Sequence, residues 1–456
     1  MEYIVQPTGA LSLLSQIEAD MISRKTNGIF YDLFRKCSLA VLSTGIKTDN
    51  TDILLQLYKD FEINAIRNER GVKLELINPP QTAFVDGKMI KNIQNNLYSV
   101  LRDIVQTKTV RDLLKNNYNE QKIPFGTQVT NEIFLLLRMA GALIPGDTPN
   151  TVVCWGGHSI NAEEYEYARQ VGKYLGLYKN NICTGCGPGI MEAPMEGANI
   201  GYSLQHFKKG RFIGLTEPSI IAAEPPNCMV NELIIMPDIE KRLESFVRLA
   251  SCILVFPGGP GTAEELLYLL AIKLNKLNKH EPMPVILTGP RESEAYFKAI
   301  NDFITTTLGE EATNLYEVII GAPETVAKKV NSYMEKVMYH RNATSNSYCF
   351  NWTLTIPEEL QRHFVVTHEN MAKLNLHKGL EPEVLASNLR SAFSGIVSGN
   401  VKAEGMQEIE KHGPFILDGD KDIMIALDKL LCDFKEQKRF LLSDEDYKPC
   451  YRIKTQ

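Results

Sequence analysis

Short apolar segments alternate with longer amphipathic segments between residues 150 and 338. Short runs without polar interruption are typical of strands buried on both faces, and the segments between them are long enough to form crossover helices. The alternation predicts an α/β fold with a Rossmann-like, doubly wound parallel sheet and right-handed crossovers. The predicted strands are Val152–Trp155, Ile182–Gly185, Phe212–Thr216, Glu232–Met236, Cys252–Phe256, Val285–Thr288 and Glu317–Ile320.

The two flanks of the chain lack this alternation, and the turn-rich run from Pro145 to Asn150 indicates a domain boundary. We expect an N-terminal accessory domain (1–145), a Rossmann-like domain (150–338) and a C-terminal accessory domain (340–456), both accessory domains being α+β. The helices predicted in the Rossmann-like domain are 162–175, 190–200, 239–250, 263–274, 294–306 and 324–337. The elements predicted in the flanks are a helix from Leu11 to Met21, a strand at Ser38–Ser43, a hairpin around residues 68–71 and a helix from Ile423 to Phe434.

Composition excludes several classes of protein. The net charge is −6 and the pI is about 5.9, whereas a surface for nucleic-acid polymers needs clustered lysine and arginine. The N-terminus lacks a secretory signal pattern, and no run of 18 apolar residues occurs. We therefore expect a soluble, cytoplasmic protein that binds neither membranes nor nucleic-acid polymers. The eight histidines show no ligand spacing, so we expect no metal site.

The nine cysteines form an odd, scattered set, which indicates reduced thiols rather than a disulfide framework. Cys183 and Cys186 have the C-x-x-C spacing of redox dithiols. The run Gly187-Pro188-Gly189 that follows favours instead a loop that binds phosphate or substrate. We expect no redox cofactor.

A glycine-rich run from Phe256 to Glu265 joins a predicted strand to a predicted helix. Glycines let the backbone pass close to an anion, and the first free N–H groups of a helix, at the positive end of its dipole, can hold a phosphate. The alternative is an ordinary tight turn between strand and helix. This run contains neither the dinucleotide-binding fingerprint G-x-G-x-x-G nor the P-loop pattern G-x-x-x-x-G-K-[ST]. The residues that we assign to this phosphate cradle are Gly258, Gly259, Gly261 and Thr262.

Two carboxylates, Glu264 and Glu265, follow the cradle within one helical turn. A bound phosphate repels a carboxylate, so the pair indicates chemistry next to the phosphate. Adjacent side chains point about 100° apart on a helix. One glutamate therefore faces the ligand, and the other is solvated or paired.

Two further glycine turns follow predicted strands, at Gly156–Ser159 and Gly185–Gly189. Open parallel sheets bind ligands at the carboxyl ends of their strands, so we expect all three turns to face one crevice. The substrate-binding residues predicted in these two turns are Gly156, Gly157, His158, Ser159, Gly185, Gly187 and Gly189.

Arg242 lies near the start of the helix predicted after Pro237, for which Asp238 is the expected cap. If the preceding strand ends at the same crevice, Arg242 approaches the phosphate and the carboxylates. The alternative is a surface ion pair with Glu240 or Glu244.

Together these residues resemble the Lonely Guy (LOG) family of nucleoside-monophosphate phosphoribohydrolases. The run from Pro257 to Glu265 matches the signature Pro-Gly-Gly-x-Gly-Thr-x-x-Glu of that family, whose catalytic arginine stands fifteen residues before the proline, at Arg242 in this sequence. The resemblance implies catalytic roles for Glu265 and Arg242, with Glu264 as the alternative carboxylate. Cys186 stands where the family usually has glycine.

The segments Arg70 to Pro80, Thr216 to Asn227 and Ala392 to Val397 resemble the long bacterial members of that family, the pyrimidine/purine nucleotide 5′-monophosphate nucleosidases. The resemblance covers nearly the whole chain. It implies hydrolysis of the N-glycosidic bond of purine and pyrimidine nucleoside 5′-monophosphates to free base and ribose 5-phosphate, without a cofactor. It also implies a homo-oligomer, either a dimer or a tetramer.

Three other functions are alternatives to this one. The first is a cytokinin riboside 5′-monophosphate phosphoribohydrolase, and the second is a nucleotide-binding regulator without turnover. The third, an amino-acid decarboxylase, requires a pyridoxal lysine, and the glycine turns contain no lysine. Arg67, Arg70 and Lys73 cluster on the predicted hairpin, as would suit an anionic effector such as a guanosine polyphosphate; the alternative is a solvated hairpin or a subunit contact.

Overall fold

The computed structural model of the protein describes residues 2–6, 29–46, 51–68, 71–121, 123–439 and 449–454. The chain forms two compact units. The first unit comprises Met1–Gly146, Asn181–Pro188 and Arg211–Phe246, and the second comprises Asp147–Asn180, Gly189–Gly210 and Val247–Gln456. The step from Gly146 to Asp147 falls in the predicted turn-rich hinge. The division into three domains stays a prediction.

The N-terminal part contains both strands and helices. Its elements are β1 (Glu2–Val5), α1 (Ile29–Leu42), α2 (Thr51–Leu57), β2 (Glu62–Asn68), β3 (Gly71–Ile77), β4 (Phe84–Val85), β5 (Lys88–Met89), α3 (Lys91–Gln121) and α4 (Phe125–Met139). An antiparallel sheet has the strand order β1-β3-β2. The predicted hairpin is confirmed as β2 and β3, in which Ile66 lies opposite Lys73 and Asn68 lies opposite Gly71.

The strand predicted at Ser38–Ser43 is wrong, because Ser38 to Leu42 form the end of α1 and Ser43 lies in the turn that follows it. All six residues are buried, and α1 packs against α3 and against the helix Pro218–Ala223. A short apolar run that is covered on all sides looks the same in a strand as in a buried helix, so its periodicity does not distinguish them. The helix predicted from Leu11 to Met21 lies outside the described residues.

The middle of the chain contains the alternating elements. They are β6 (Thr151–Trp155), α5 (Ala162–Leu177), β7 (Asn181–Thr184), α6 (Ala193–Leu204), β8 (Phe212–Thr216), α7 (Pro218–Ala223), β9 (Glu232–Ile235), α8 (Ile239–Leu249), β10 (Cys252–Val255), α9 (Pro260–Leu274), β11 (Val285–Gly289), α10 (Glu294–Leu308), α11 (Glu310–Thr313), β12 (Glu317–Ile320) and α12 (Pro323–Ala343). The seven predicted strands are confirmed, each with ends within one residue of those predicted. The helix predicted from Ile190 begins instead at Ala193, after a 3-10 turn at Gly189–Met191.

These strands form a seven-stranded parallel sheet in the order β12-β11-β10-β6-β7-β8-β9. The predicted Rossmann-like α/β fold is therefore confirmed. β6 and β10 are neighbours, with Val255 opposite Trp155. From β6 the chain continues to one edge of the sheet, and from β10 it continues to the other. Such a switch point opens a crevice at the carboxyl ends of the two strands, which is where ligands bind in sheets of this kind.

The C-terminal part is mainly helical. Its elements are α13 (Glu358–Gln361), α14 (His368–Ala372), α15 (Pro382–Val401), α16 (Ala403–His412), β13 (Phe415–Leu417), α17 (Lys421–Glu436) and β14 (Tyr451–Ile453). The predicted terminal helix is confirmed as α17, and β13 pairs in parallel with β14. In the described ranges, the chain has no helix with the length and apolar composition needed to cross a bilayer.

Candidate active site

The turns that follow β6 and β10 touch each other through their backbones. The N–H of Gly157 donates to the carbonyl oxygen of Pro257 over 3.0 Å. A Cβ atom added to Gly157 would lie 2.8 Å from the Cα of Gly258, and one added to Gly258 would lie 2.6 Å from the nitrogen of Gly157. Glycine is required at both positions because a side chain at either would push the two turns apart.

Gly189, the last residue of the glycine turn 185–189, packs against these two turns. Its φ of +70° is a conformation that side chains disfavour, and an added Cβ would lie 2.7 Å from the Cα of His158. The N–H of the next residue, Ile190, donates to the carbonyl oxygen of Gly157 over 3.0 Å. The second unit thus brings Gly156–Ser159, Gly189 and Gly258–Thr262 together at the switch point.

The cradle forms the N-terminus of α9. Gly259 is the N-cap and supplies no side-chain cap, while the N–H of Thr262 donates to the carbonyl oxygen of Gly259 over 3.1 Å. The N–H groups of Gly259 and Gly261 make no hydrogen bond with any residue in the described ranges. A Cβ on Gly261 would meet no atom within 4 Å. These two donors, at the positive end of the helix dipole, form a ready site for an anion.

Two other residues of the cradle, Gly258 and Thr262, lie against other groups of the protein. The hydroxyl of the buried Tyr296 lies near the backbone of Gly258; burial raises the pKa of that hydroxyl to about 12, although the Gly258 backbone partly opposes this shift. The side chain of Thr262 is also buried, and a Cβ on Gly258 would lie 2.1 Å from its Oγ1. Gly258 and Thr262 therefore shape the turn.

The first turn has a contact that its sequence does not indicate. The hydroxyl of Ser159 donates to the carbonyl oxygen of Lys438 over 2.8 Å. The adjacent His158 is half-buried. Ser159 is therefore held by the chain segment that follows α17, far along the sequence.

The two glutamates of α9 have different surroundings. Glu264 is buried, and its Oε1 lies 3.2 Å from Nε of Arg390, a buried residue of α15. Glu265 is only half-buried. Glu264 is thus the more buried of the two and pairs with Arg390 inside the protein. Which of the two glutamates faces a ligand stays a prediction.

Arg242 lies on α8, in the first unit, with only 5% of its surface exposed. Its Nε donates to the carbonyl oxygen of Leu215 over 2.9 Å, and its guanidinium lies 5.3 Å from the ring centroid of Phe246. Its two terminal nitrogens make no hydrogen bond with any residue that the structure describes. The alternative of a surface ion pair with Glu240 or Glu244 is wrong because the side chain is buried. Charged terminal nitrogens in that position suit an anionic partner.

The helix of Arg242 begins as the sequence predicts. Oδ1 of Asp238 accepts the N–H of Lys241 over 3.0 Å, which confirms Asp238 as the cap. Lys241 also donates from Nζ to the same carboxylate over 2.7 Å. This local structure fixes where α8 starts, and with it the position of Arg242.

The glycine turn after β7 is held by Asn227, which is not among the site residues predicted from the sequence. Its Nδ2 donates to the carbonyl oxygens of Cys186 and Gly187 over 3.0 and 2.8 Å, and its N–H donates to Cys186 over 2.8 Å. The available signal was the run Pro-Pro-Asn in a segment that resembles the family. Gly185 and Gly187 thus lie in the first unit, as does Arg242, whereas Gly189 lies in the second.

Cys183 and Cys186 are fully buried free thiols. Burial raises the pKa of Cys183 well above its usual range and that of Cys186 to about 12, although the charge of Arg242 partly opposes both shifts. Raised values disfavour the thiolate that redox chemistry requires. Cys186 has a φ of +68°, a backbone conformation that glycine adopts more readily than cysteine does.

We expect Cys183 and Cys186 to resist alkylation in the folded protein at neutral pH. The exposed Cys228 and Cys432 serve as controls within the same molecule and should react with a maleimide. Mass spectrometry of the labelled peptides measures all four sites. A disulfide between Cys183 and Cys186, or labelling of them as fast as of Cys228, would restore the redox interpretation.

The cations predicted on the hairpin are described only in part. Lys73 is half-exposed on β3, and Arg67 lies on β2 opposite Val72. Arg70 lies outside the described residues. The effector site stays a prediction. Across the described ranges, no group of three or more His, Cys, Asp or Glu residues could hold a metal ion.

Three segments of the chain match known families. Residues 3–110 match a family described as "Pyrimidine/purine nucleotide 5'-monophosphate nucleosidases". Residues 191–330 match one described as "Possible lysine decarboxylase". Residues 334–454 match one described as "Pyrimidine/purine nucleotide monophosphate nucleosidase, C-terminal".

The chain as a whole is similar to curated relatives. It is 53% identical over 456 residues to proteins of Escherichia coli strain K12 and of Escherichia coli O157:H7, each named "Pyrimidine/purine nucleotide 5'-monophosphate nucleosidase". The match covers 99% of this chain and 99% of each relative. Among solved structures, the molybdenum cofactor binding protein of Rippkaea orientalis is 20% identical, with 41% of this chain and 98% of that chain covered. Its TM-score is 0.31, which carries no conclusion about this chain.

Proposed function

The chain belongs to the family of pyrimidine/purine nucleotide 5′-monophosphate nucleosidases, and we propose that Glu265 and Arg242 are the residues with which it hydrolyses nucleoside monophosphates. The reaction adds water across the N-glycosidic bond and gives free base and ribose 5-phosphate. Cleavage builds positive charge on the ribose ring, as in glycoside hydrolysis. A carboxylate beside C1′ stabilises that charge and orients or deprotonates the attacking water.

The observation that carries this proposal is the first part of α9. Gly261 has an unbonded N–H and open space around its Cα, and Glu265 stands four residues further on. Residues at this spacing share a face of a helix, with a separation of about 6 Å along the axis. A phosphate on the Gly261 N–H would therefore place the ribose of the same nucleotide beside Glu265. The phosphate anchors the substrate, and the carboxylate acts on the bond a few ångströms away.

Arg242 supplies the cation in this proposal. Its Nε is fixed by the Leu215 carbonyl, so its terminal nitrogens are held in one orientation. They would orient the catalytic carboxylate or the phosphate and assist the departing base. Because the guanidinium is buried, its charge acts in a medium that screens it less than water does.

Two alternative functions explain less of the site. A regulator that only holds a nucleotide needs a phosphate cradle, but not the half-buried Glu265 on the same helix face. A lysine decarboxylase, the activity in one family description, needs a pyridoxal lysine, and the turns 156–159, 185–189 and 257–262 contain none. The nucleosidase uses both the cradle and the carboxylate.

A chromatographic screen of purified protein against AMP, GMP, CMP and UMP tests this function. We expect free base and ribose 5-phosphate in equal amounts from both purine and pyrimidine nucleotides. Isopentenyladenosine 5′-monophosphate is included to test the cytokinin alternative. Release of base from that nucleotide alone would favour the cytokinin enzyme, and binding without release from any nucleotide would favour the regulator.

Three further properties are proposals supported by the family resemblance. They are a homo-oligomer of two or four chains, a cytoplasmic location, and an anionic effector such as a guanosine polyphosphate at Arg67, Arg70 and Lys73. For the effector, calorimetry of wild type and of the triple alanine variant gives the test. Equal affinity in the two proteins would eliminate the hairpin as its site.

A further inference from the structure

The chain segment that follows α17 lies against the nucleotide turns of the second unit. We call Gln437, Lys438 and Arg439 the C-terminal strap. The strap contacts the turn after β6, the cradle after β10, and helices α5 and α10. The strap comes from the C-terminal part of the chain, within the matched segment 334–454, and lies outside the run from Pro257 to Glu265 that carries the LOG signature.

The guanidinium of Arg439 forms a buried, two-pronged ion pair with Glu164. Its Nη1 donates to Oε2 and its Nη2 to Oε1, each over 2.6 Å. The side chains are only 7% and 2% exposed. Glu164 lies in the first turn of α5, where it completes a capping box with Asn161, and its Oε1 also accepts the hydroxyl of Ser293 over 3.1 Å. Arg439 thus fixes the start of the helix that follows the first nucleotide turn.

The same guanidinium packs on the residue that supports the cradle. It lies 5.2 Å from the ring centroid of Tyr296, whose hydroxyl lies near the backbone of Gly258. Tyr296 also stacks on Phe434 of α17 at 5.9 Å. A chain of contacts therefore leads from the strap through Tyr296 to the backbone of the cradle.

The backbone of the strap meets the turns directly. A Cβ atom on Gly259 would lie 2.6 Å from the carbonyl oxygen of Arg439. The neighbouring carbonyl, that of Lys438, accepts the hydroxyl of Ser159. The strap thus touches both the helix N-cap of the cradle and the last residue of the first nucleotide turn.

We propose that Arg439 is a positioning residue for the phosphate cradle: its pair with Glu164 holds the strap against Gly259 and Ser159, and so sets the orientation of the N–H groups that bind the substrate phosphate. The inference rests on the proposed function, since it concerns the same cradle. Arg439 touches no substrate. It acts on how tightly the phosphate is held, and not on the bond that breaks.

Replacing the ion pair as a whole gives the clearest test. Arg439→Met alone would leave the buried carboxylate of Glu164 without its partner and destabilise the fold. The double variant Arg439→Met/Glu164→Gln removes both charges together. The matched control is Arg341→Met, which removes another buried arginine of the second unit; it donates to the carbonyl oxygens of Tyr348 and Ala250 and, among the described residues, makes no hydrogen bond to the turns.

The readouts are the calorimetric affinity for ribose 5-phosphate and the steady-state constants for AMP. In the double variant we expect the affinity to fall at least tenfold and KM to rise by a similar factor, with kcat within threefold of wild type. The control should change neither constant by more than twofold. Arg439→Lys should recover part of the affinity. Unchanged ribose 5-phosphate affinity and KM in a folded double variant would overturn the inference.

Ser159→Ala keeps the inference testable if the double variant does not fold. It removes only the hydroxyl that holds Lys438, and we expect KM to rise about threefold, in line with the loss of one hydrogen bond. An unchanged KM in this variant would then overturn the inference. Failure of the wild-type protein to bind ribose 5-phosphate at all would overturn the proposed function together with the inference. Normal wild-type binding with unaltered variants would overturn the inference alone.

Discussion

Replacing Glu265 with glutamine is expected to lower kcat for AMP by about 10³-fold, the range typical of a lost general base or charge-stabilising carboxylate. The amide keeps the size of the side chain but cannot take a proton from water or neutralise the charge that develops on the ribose. Nucleotide binding should persist, because the phosphate is held by the backbone of the cradle. Base release measured by chromatography, with AMP affinity measured by calorimetry, separates the two effects.

Glu264→Gln is the matched control for that variant. Its carboxylate pairs with Arg390 inside the protein, and breaking a buried pair from one side costs about 3–5 kcal/mol of stability. We therefore expect a clear fall in Tm, with kcat of the folded protein within severalfold of wild type. Loss of turnover in Glu264→Gln together with normal turnover in Glu265→Gln would reverse the assignment of the two glutamates.

Replacing Arg242 with lysine is expected to lower kcat/KM by at least about 10²-fold, close to the loss seen when one preorganised donor is removed from a transition state. The guanidinium donates from Nε to Leu215 and still presents two terminal nitrogens. A lysine ammonium is a single point of charge and cannot do both in one geometry. Steady-state kinetics with AMP and CMP measure the effect.

Arg248→Lys offers a comparison on the same helix. Arg248 is also buried on α8, but it donates to the carbonyl oxygens of Asn351 and Leu354 and so anchors a loop. We expect this variant to lose stability while kcat/KM of the folded protein changes little. Wild-type turnover in Arg242→Lys would show that the guanidinium has only a structural role.

The sequence predicts most of the Rossmann-like core because the information there is local. Each strand is a short apolar run next to a turn, and glycine turns such as Gly258-Gly259 identify the ends of strands without any long-range knowledge. The same local pattern is ambiguous at Ser38–Ser43, where the residues are buried all round and all but the last form a helix. Periodicity separates strand from helix only when one face of the element is polar.

The parts of the site that the sequence does not predict depend on distant residues. Glu264 and Glu265 are alike in type and neighbours in sequence, and the structure distinguishes them through Arg390 on α15. In the sequence, Arg439 is one of several charged residues near the end of a helix, and nothing local marks it as special. The fold pairs it with Glu164, which lies far away in the sequence. Such pairings depend on how separate elements pack, and no spacing rule encodes them.

A crystal structure of the Glu265→Gln variant with AMP tests the central claim most directly, because the variant should hold the nucleotide without cleaving it. We expect the 5′-phosphate on the N–H groups of Gly259 and Gly261, with C1′ of the ribose beside the side chain of residue 265. A nucleotide bound with its phosphate elsewhere, or with its glycosidic bond remote from residue 265, would contradict the account.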